Sequence, residues 1–423
     1  MGNKKHLFFN PSLSSKGNIE ALIVTFLLFF ISNPYFFWQW YGDLLPRIIV
    51  TTIIVFYFWK NRRRMTVKDK KLFYFFVFVW LFYSLNELVK GARLGVVATA
   101  PYVLLGLVPL VKKDFGKVVF NNFVFLYAII IGLSMISWIL AINGLIPSMG
   151  EIGQDNDSMV RQQKSYLVYP LALVSTSNMG DFLRFFGIFD EPGVVGTIGA
   201  LILCALRFNM KDWRCVIILM SGLLSTSMFF YVLVGVYWLA ELIMVRKKFG
   251  TFLIIIIGIA VFYVLTKDND AVSKLVWGRF EWNSSRGTFE GDSRADERSF
   301  DMLNRIWASG EIWFGVVDKA KFWEENFGTS SFYNIIGQYG LLFSAMYIFW
   351  LILVGYRYRI NRWDFMLYIF VVIGCSYQRP GLYNALYIFL YVCIARYKEF
   401  FADMIPKAKL TRHLRYASDS RLT

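Results

Sequence analysis

Apolar residues along this chain come in long unbroken runs, not in the alternating or one-faced patterns of a water-soluble domain. Runs of roughly 16–24 residues recur, the helix length that about 30 Å of hydrocarbon demands. They predict about twelve spans: 19–40, 44–59, 72–89, 94–111, 118–141, 187–206, 215–226, 227–245, 251–266, 331–355, 364–379 and 381–395. Three of these, 44–59, 215–226 and 364–379, are short for a full crossing. A closed barrel also satisfies its backbone in lipid, but its alternating ten-residue signature is absent. The pattern predicts an all-α polytopic membrane protein.

No internal repeat and no Pro- or Ser-rich linker marks a second domain, so residues 1–423 read as a single membrane domain. Two segments outside the spans are too long to be mere connectors, 142–186 and a large extracytoplasmic loop at 267–330; loops of this length are usually functional or disordered. The high aromatic content of 267–330 argues for order, and Phe300–Trp307 reads as a short amphipathic helix. Within the first loop, Tyr166–Thr176 is apolar enough to dip into the interface, and it reads equally well as an ordinary packed loop.

Charge orients the spans. The net charge of +16 would suggest nucleic acid in a soluble protein. Its distribution says otherwise. If the first span starts inside, Lys60-Asn-Arg-Arg-Arg64, Lys112-Lys113, Arg246-Lys-Lys248 and both tails share one side, while acids outnumber bases in 267–330. That is the positive-inside signature, not a nucleic-acid surface. The expected partner is the bilayer, with no nucleic acid. Both termini, including the basic tail 396–423, are expected in the cytoplasm. The run 19–40 is too long for a signal peptide and reads as a retained first span.

Histidine and cysteine usage removes whole classes of chemistry. His6 and His413 lie in the two tails, and there is no HExxH, no cysteine ligand cluster and no Walker lysine loop. A metal site, a redox cofactor and a cytoplasmic ATPase are therefore not expected. Cys204, Cys215, Cys375 and Cys393 fall in or beside apolar runs and read as small apolar fillers.

What remains outside is arginine among carboxylates. Arg184, Asp190 and Glu191 stand at the mouth of the apolar segment Val194–Phe208, where charge is costly and usually serves a task. Arg184 reads as an interfacial anchor, as an ion-pair partner of Asp190 or Glu191, or as half of a pyrophosphate clamp completed by a loop arginine. A guanidinium fork suits phosphate oxygens and stabilises a leaving diphosphate without a metal. Asp190-Glu191-Pro192 also reads simply as a helix start, with acids at the positive end of the dipole. Arg279, Arg286, Arg294, Arg298 and Arg305 lie among acids and tryptophans, a mixture that suits sugar stacking or an interfacial helix. Ser225-Thr-Ser227 reads as a turn or as a head-group donor. Lys90 and Arg93 read as anchors, and Arg379, ahead of Pro380-Gly381, as a second charge able to face the same outer cavity.

These residues resemble a known family. Arg184-x-x-Gly187-x-Phe189-x-Glu191-Pro192-Gly193 is similar to the helix-start motif of the bacterial O-antigen polymerase and ligase superfamily. The order that follows is similar too: a Ser/Thr turn at Leu224-Ser-Thr-Ser227, then a large external loop carrying Ser293-Arg294, Arg298, Trp307 and Phe314-Gly315. Gly310 follows Arg294 with fifteen residues between, and Ser331–Leu342 resembles the helix after the loop, with its Gly-apolar-apolar ending. The resemblance covers about 180–345. Ligases of the superfamily carry a His-Asn pair where this chain has Thr329-Ser330, which favours a polymerase over a ligase.

The resemblance implies a metal-independent, inverting membrane glycosyltransferase of GT-C-like architecture in a bacterial inner membrane. Its substrate would be an undecaprenyl-pyrophosphate-linked oligosaccharide, and a chain-length regulator would be a possible partner. Arg184, Arg294, Arg298 and Glu191 would be catalytic, with Asp296-Glu297 as a second source of the acceptor-activating acid. Asp190, Arg286, Arg305, Glu297 and Tyr333 would bind substrate. A ligase, or a transporter of lipid-linked sugars, is the alternative. Cysteines introduced at 184 and across 290–300 are expected to react with impermeant thiol reagents from outside the cell; protection there with labelling from the cytoplasm would overturn the assigned sidedness.

Overall fold

Two short helices that are apolar on every face occupy the middle of the protein. The computed structural model describes residues 14–37, 44–61, 65–91, 100–153, 165–176, 184–245, 249–269, 273, 277–284, 288–289, 297–319, 321–322, 332–379 and 384–400. The helices are α1 Ser15–Ile31, α2 Leu44–Asn61, α3 Val67–Val89, α4 Lys113–Ile142, α5 Pro192–Ala205, α6 Trp213–Leu224, α7 Met228–Ala240, α8 Phe249–Thr266, α9 Glu297–Ala308, α10 Phe332–Tyr358, α11 Arg362–Gln378 and α12 Ala385–Ala395. A 3-10 segment, Ala100–Leu107, precedes α4. The expected predominance of helix is met, and α9 supplies the helix expected at Phe300–Trp307.

Every residue of α12 is buried, and nearly all of α5. With 14 and 11 residues they reach only about 21 and 17 Å at 1.5 Å per residue. Enclosed by protein on all sides, they need not match a bilayer's thickness. The helix α5 packs on α6, α7 and α12, while α12 also meets α1, α10, α11 and the 3-10 segment. Close approach depends on small residues: a Cβ on Gly196 of α5 would lie 2.6 Å from Ser227 Cβ. Among the described residues, four helices are long and apolar enough to cross a membrane: α3, α4, α8 and α10. Among them α8 buries no residue, which suits a helix surrounded by lipid. Cys204, Cys215, Cys375 and Cys393 are buried and free.

The first loop departs from the all-helical expectation. It carries a three-stranded antiparallel sheet of β1 Gly150–Gly153, β2 Ser165–Tyr169 and β3 Ala172–Ser175. The segment read as an interfacial dip, Tyr166–Thr176, is the β2–β3 hairpin. Tyr169 pairs with Ala172 across Pro170-Leu171, where Leu171 takes a positive φ (57°). A second, two-stranded ribbon joins β4 Trp282–Asn283 to β5 Thr288–Phe289.

The end of the bundle away from Arg184 is tied by buried charge. Arg207, just past α5, binds Glu241 at 2.8 Å and also pairs with Asp364 at the start of α11. Its guanidinium lies 5.0 Å from the ring of Tyr397. Nearby, Tyr358 donates to Asp69 at 2.5 Å, and Arg396 pairs with Glu399 and donates to the Pro109 carbonyl. Removing one member of a buried ion cluster strands the others, at a cost of about 3–5 kcal/mol. Arg207→Ala should therefore lower the thermal midpoint in detergent markedly, whereas Arg207→Met with Glu241→Gln and Asp364→Asn should recover most of the loss. A midpoint unchanged in Arg207→Ala would mean the cluster carries no stability.

Candidate functional site

The charged stretch after the sheet is held by its own apolar residues. Phe185, Ile188 and Phe189 are fully buried, so the backbone between Arg184 and Glu191 is drawn against the bundle. Gly187 takes φ 62°, and a Cβ there would meet Ile131 at 2.8 Å. The Gly187 carbonyl accepts from Leu173 N–H at 2.9 Å, and Ile188's accepts from Tyr35 N–H at 2.9 Å. The sheet and the 3-10 turn Tyr35–Phe37 after α1 thus fix where the charges stand. Tyr166 donates its hydroxyl to the Asp190 carbonyl at 2.8 Å. Burial, with Asp190 and Glu191 nearby, raises the Tyr166 pKa well above the usual phenol range, so it remains a donor.

Arg184 is seated on the Ser/Thr turn between α6 and α7. Its Nε donates to Thr226 Oγ1 at 2.8 Å, and Nη2 lies 3.3 and 3.4 Å from the Ser225 and Thr226 carbonyls. Thr226 adopts φ 49°, and Ser225, Thr226 and Ser227 are all buried. Glu191, one of the ion-pair partners considered for Arg184, instead accepts from Arg379 Nη1 at 2.6 Å. Arg379 is the C-cap of α11. Its Nη2 would lie 2.5 Å from a Cβ on Gly193.

Gly193 and Gly196 lie one turn apart on α5, the first beneath Arg379 and the second against Ser227. Both guanidinium-bearing elements therefore clasp the opening turns of one helix. That helix begins with Pro192 at N1 and has no side-chain cap from Glu191. Val194 N–H donates to the Glu191 carbonyl at 3.0 Å, and the positive end of the helix dipole lies beside two arginines and two carboxylates. The arrangement favours an anion.

The large loop docks beside this end. On α9, Met302 and Ile306 are buried and cluster with Ile312, Val316 and Phe322, against which Tyr333 and Ile336 of α10 pack. Phe332 contacts the ring of Tyr377, two residues before Arg379, at 5.4 Å between centroids. Arg305 is on the exposed face of α9. Glu297 and Arg298 open α9, though their side chains are outside what is described. Arg286, Arg294, Asp296, Arg93 and Thr329-Ser330 lie outside the described residues, as do residues 401–423 of the basic tail.

An unexpected feature anchors the loop. The helix α10 is broken at Gly340 (φ 77°, ψ 159°), and backbone from the loop meets the break. Leu341 and Leu342 N–H donate to the Ile312 and Trp313 carbonyls at 2.7 and 3.1 Å, and Val316 N–H donates to Gly337 at 2.8 Å. The Gly-apolar-apolar pattern thus has a physical cause, because a Cβ on Gly340 would come within 2.5 Å of loop backbone. Lys90, read from sequence as an anchor, donates to the Phe314 and Gly315 carbonyls at 2.5 and 2.8 Å. Glu87 holds Lys319, which donates to Tyr83 Oη at 2.8 Å. Burial lowers the pKa of both lysines. The signal for Lys90, Glu87 and Arg379 was charge at span ends, which does not by itself say what each charge meets.

Comparison with protein families, characterised proteins and solved structures yields no match. Gly340→Ala places a side chain at positive φ and against backbone, both unfavourable. The expected result is faster proteolysis between 297 and 322 with the remaining helices protected; cleavage at the unaltered rate would show that the loop is held by something else.

Proposed function

We propose that this protein is a membrane glycosyltransferase that polymerises lipid-linked oligosaccharide repeat units. The donor is a growing glycan on undecaprenyl pyrophosphate, and the acceptor is the terminal sugar of a second lipid-linked unit. One observation carries the reading: Arg184, fixed by hydrogen bonds to the Ser225-Thr226 turn, stands with Arg379 at the first turns of α5. Fixed donors of this kind stabilise charge that appears only as the reaction proceeds.

In this mechanism the acceptor hydroxyl oxygen attacks the anomeric carbon of the donor glycan. The bond from that carbon to the phosphate oxygen breaks, and the diphosphate leaves with the electron pair. Arg184 and a loop arginine, Arg294 or Arg298, neutralise the departing charge. The hydroxyl proton passes to a carboxylate. Glu191 already accepts from Arg379, so the base is assigned to the Asp296-Glu297 pair. The sugars bind through Asp190, Arg286, Arg305 and Tyr333, with exposed Trp307 and Trp313 as stacking faces.

The broken helix bears on the transporter reading. Transporters use such breaks to expose half-helix termini to a central cavity. Here loop carbonyls of the same chain take the freed N–H groups, so the break serves docking. Arg184→Ala and Arg298→Ala are each expected to abolish long-chain polysaccharide while the protein still accumulates in the membrane. Normal chain lengths in the Arg184→Ala strain would overturn the role given to that residue. Loss of a polymerase leaves single repeat units attached to their final acceptor, whereas loss of a ligase leaves none.

A further inference from the structure

We infer that residues 314–317 of the large loop form a lipid anchor, in which Phe314 and Val317 insert into the outer leaflet beside α3. The inference needs α3 and α10 to be membrane spans; it does not depend on the glycosyltransferase reading.

Two helices set the depth of this turn independently. At their inner ends α3 and α10 are tied together: Tyr358 donates to Asp69 at 2.5 Å, and Trp350 donates to the Leu72 carbonyl at 2.9 Å. Basic residues mark that end, Lys68, Lys70 and Lys71 on α3 and Arg357 on α10. Outward from it, residues 72–89 of α3 and 341–358 of α10 are equal in length, about 27 Å at 1.5 Å per residue. That is close to the roughly 30 Å thickness of the hydrocarbon layer. The loop meets both helices at the far end of this length. Leu341 and Leu342 N–H donate to the Ile312 and Trp313 carbonyls, while Asn86 and Lys90 donate to the Phe314 carbonyl at 3.1 and 2.5 Å. The turn therefore lies at the outer edge of the hydrocarbon.

Its apolar side chains continue the lipid-facing stripe of α3. Phe78 stacks on Phe82 at 6.3 Å between centroids, Phe82 meets Phe343 at 5.2 Å, and Phe343 meets Phe314 at 6.3 Å. Leu85 and Val89 extend the stripe, 59 % and 87 % exposed, and Val317 and Phe314 are 58 % and 45 % exposed. An apolar patch continuous with a spanning helix marks a membrane contact. Beyond Val317 the chain turns polar, at Asp318, Lys319 and Lys321.

The backbone meets the demand that lipid makes. Hydrocarbon offers no hydrogen bonds, so a segment entering it must satisfy its own peptide groups. Phe314 and Gly315 N–H donate to the Glu311 carbonyl, Val316 N–H donates to Gly337, and Val317 N–H donates to the Glu311 carboxylate at 3.0 Å. The carbonyls of Phe314, Gly315 and Val316 all accept from Lys90, whose charge is answered by Glu87 at 3.7 Å.

The test places single cysteines in the full-length protein in phosphatidylcholine nanodiscs: Phe314→Cys, Val317→Cys, Leu85→Cys as a reference within lipid, and Asn304→Cys on the exposed face of α9. The native cysteines are buried, and the unaltered protein carried through the same labelling supplies the background. Each variant carries a small environment-sensitive fluorophore and is quenched by aqueous iodide, or by lipids spin-labelled near the head group or near the chain end. Labels at 314 and 317 should lose most of their emission to the lipid labelled near its head group and little to iodide, whereas the label at 304 should respond to iodide alone. Iodide quenching at 314 and 317 equal to that at 304 would overturn the anchor. Shielding from iodide and from both lipids would mean that protein covers the patch, a second copy included, and would overturn it equally.

Discussion

Charge survives inside this bundle by being paired at the two ends of α5. The helix itself is apolar and largely enclosed, so its aligned peptide dipoles are poorly screened by water along most of its length. At the opening turn stand Asp190 and Glu191, matching the positive end; just past the close stands Arg207, matching the negative end. Each of these charges would be costly alone. Arg379 answers Glu191, while Glu241 and Asp364 answer Arg207. Because Arg379 ends α11 and Asp364 begins it, one neighbouring helix supplies a counter-charge at both ends.

The two ends differ in how tightly they are closed. Arg207, Glu241 and Asp364 are all under a tenth exposed and are further enclosed by Tyr237 and Tyr397. Such a cluster holds helices in register and has no room for a ligand. The Arg379–Glu191 pair is more open, with Glu191 40 % exposed, and the guanidinium rests directly on Gly193. Closure at one end and access at the other follow from the residues that pack over each pair. The same difference separates a structural ion cluster from a site that can exchange partners.

The loop depends on the same avoidance of unmet polar groups. Breaking α10 at Gly340 frees backbone donors that are costly to bury. The Ile312 and Trp313 carbonyls meet those donors, Val316 N–H meets the Gly337 carbonyl, and Lys90 in turn meets the Phe314 and Gly315 carbonyls. The amphipathic helix α9, which bears Arg298 and Arg305, is thereby held beside the α5 mouth through Tyr333, Phe332 and Tyr377.

The sequence by itself determined that the chain is mainly helical, where most of its helices run, and that Arg184, Asp190 and Glu191 sit at a helix start. Those are local properties, carried by apolar run length, by Pro192 and by acids preceding an apolar segment. It also located α9, because amphipathic spacing is local too. Only the tertiary structure decided that Glu191 meets Arg379 rather than Arg184, since that pairing joins residues 188 positions apart. The Tyr166–Thr176 hairpin was equally illegible, because a short apolar run does not distinguish a strand from an interfacial segment. The Gly-apolar-apolar pattern at Gly340 was legible, but not that the helix breaks there, because the partner that meets the freed donors comes from the distant loop. Hydropathy records how much each residue prefers to leave water; it does not record which distant group will satisfy a charge or a backbone donor once it has left.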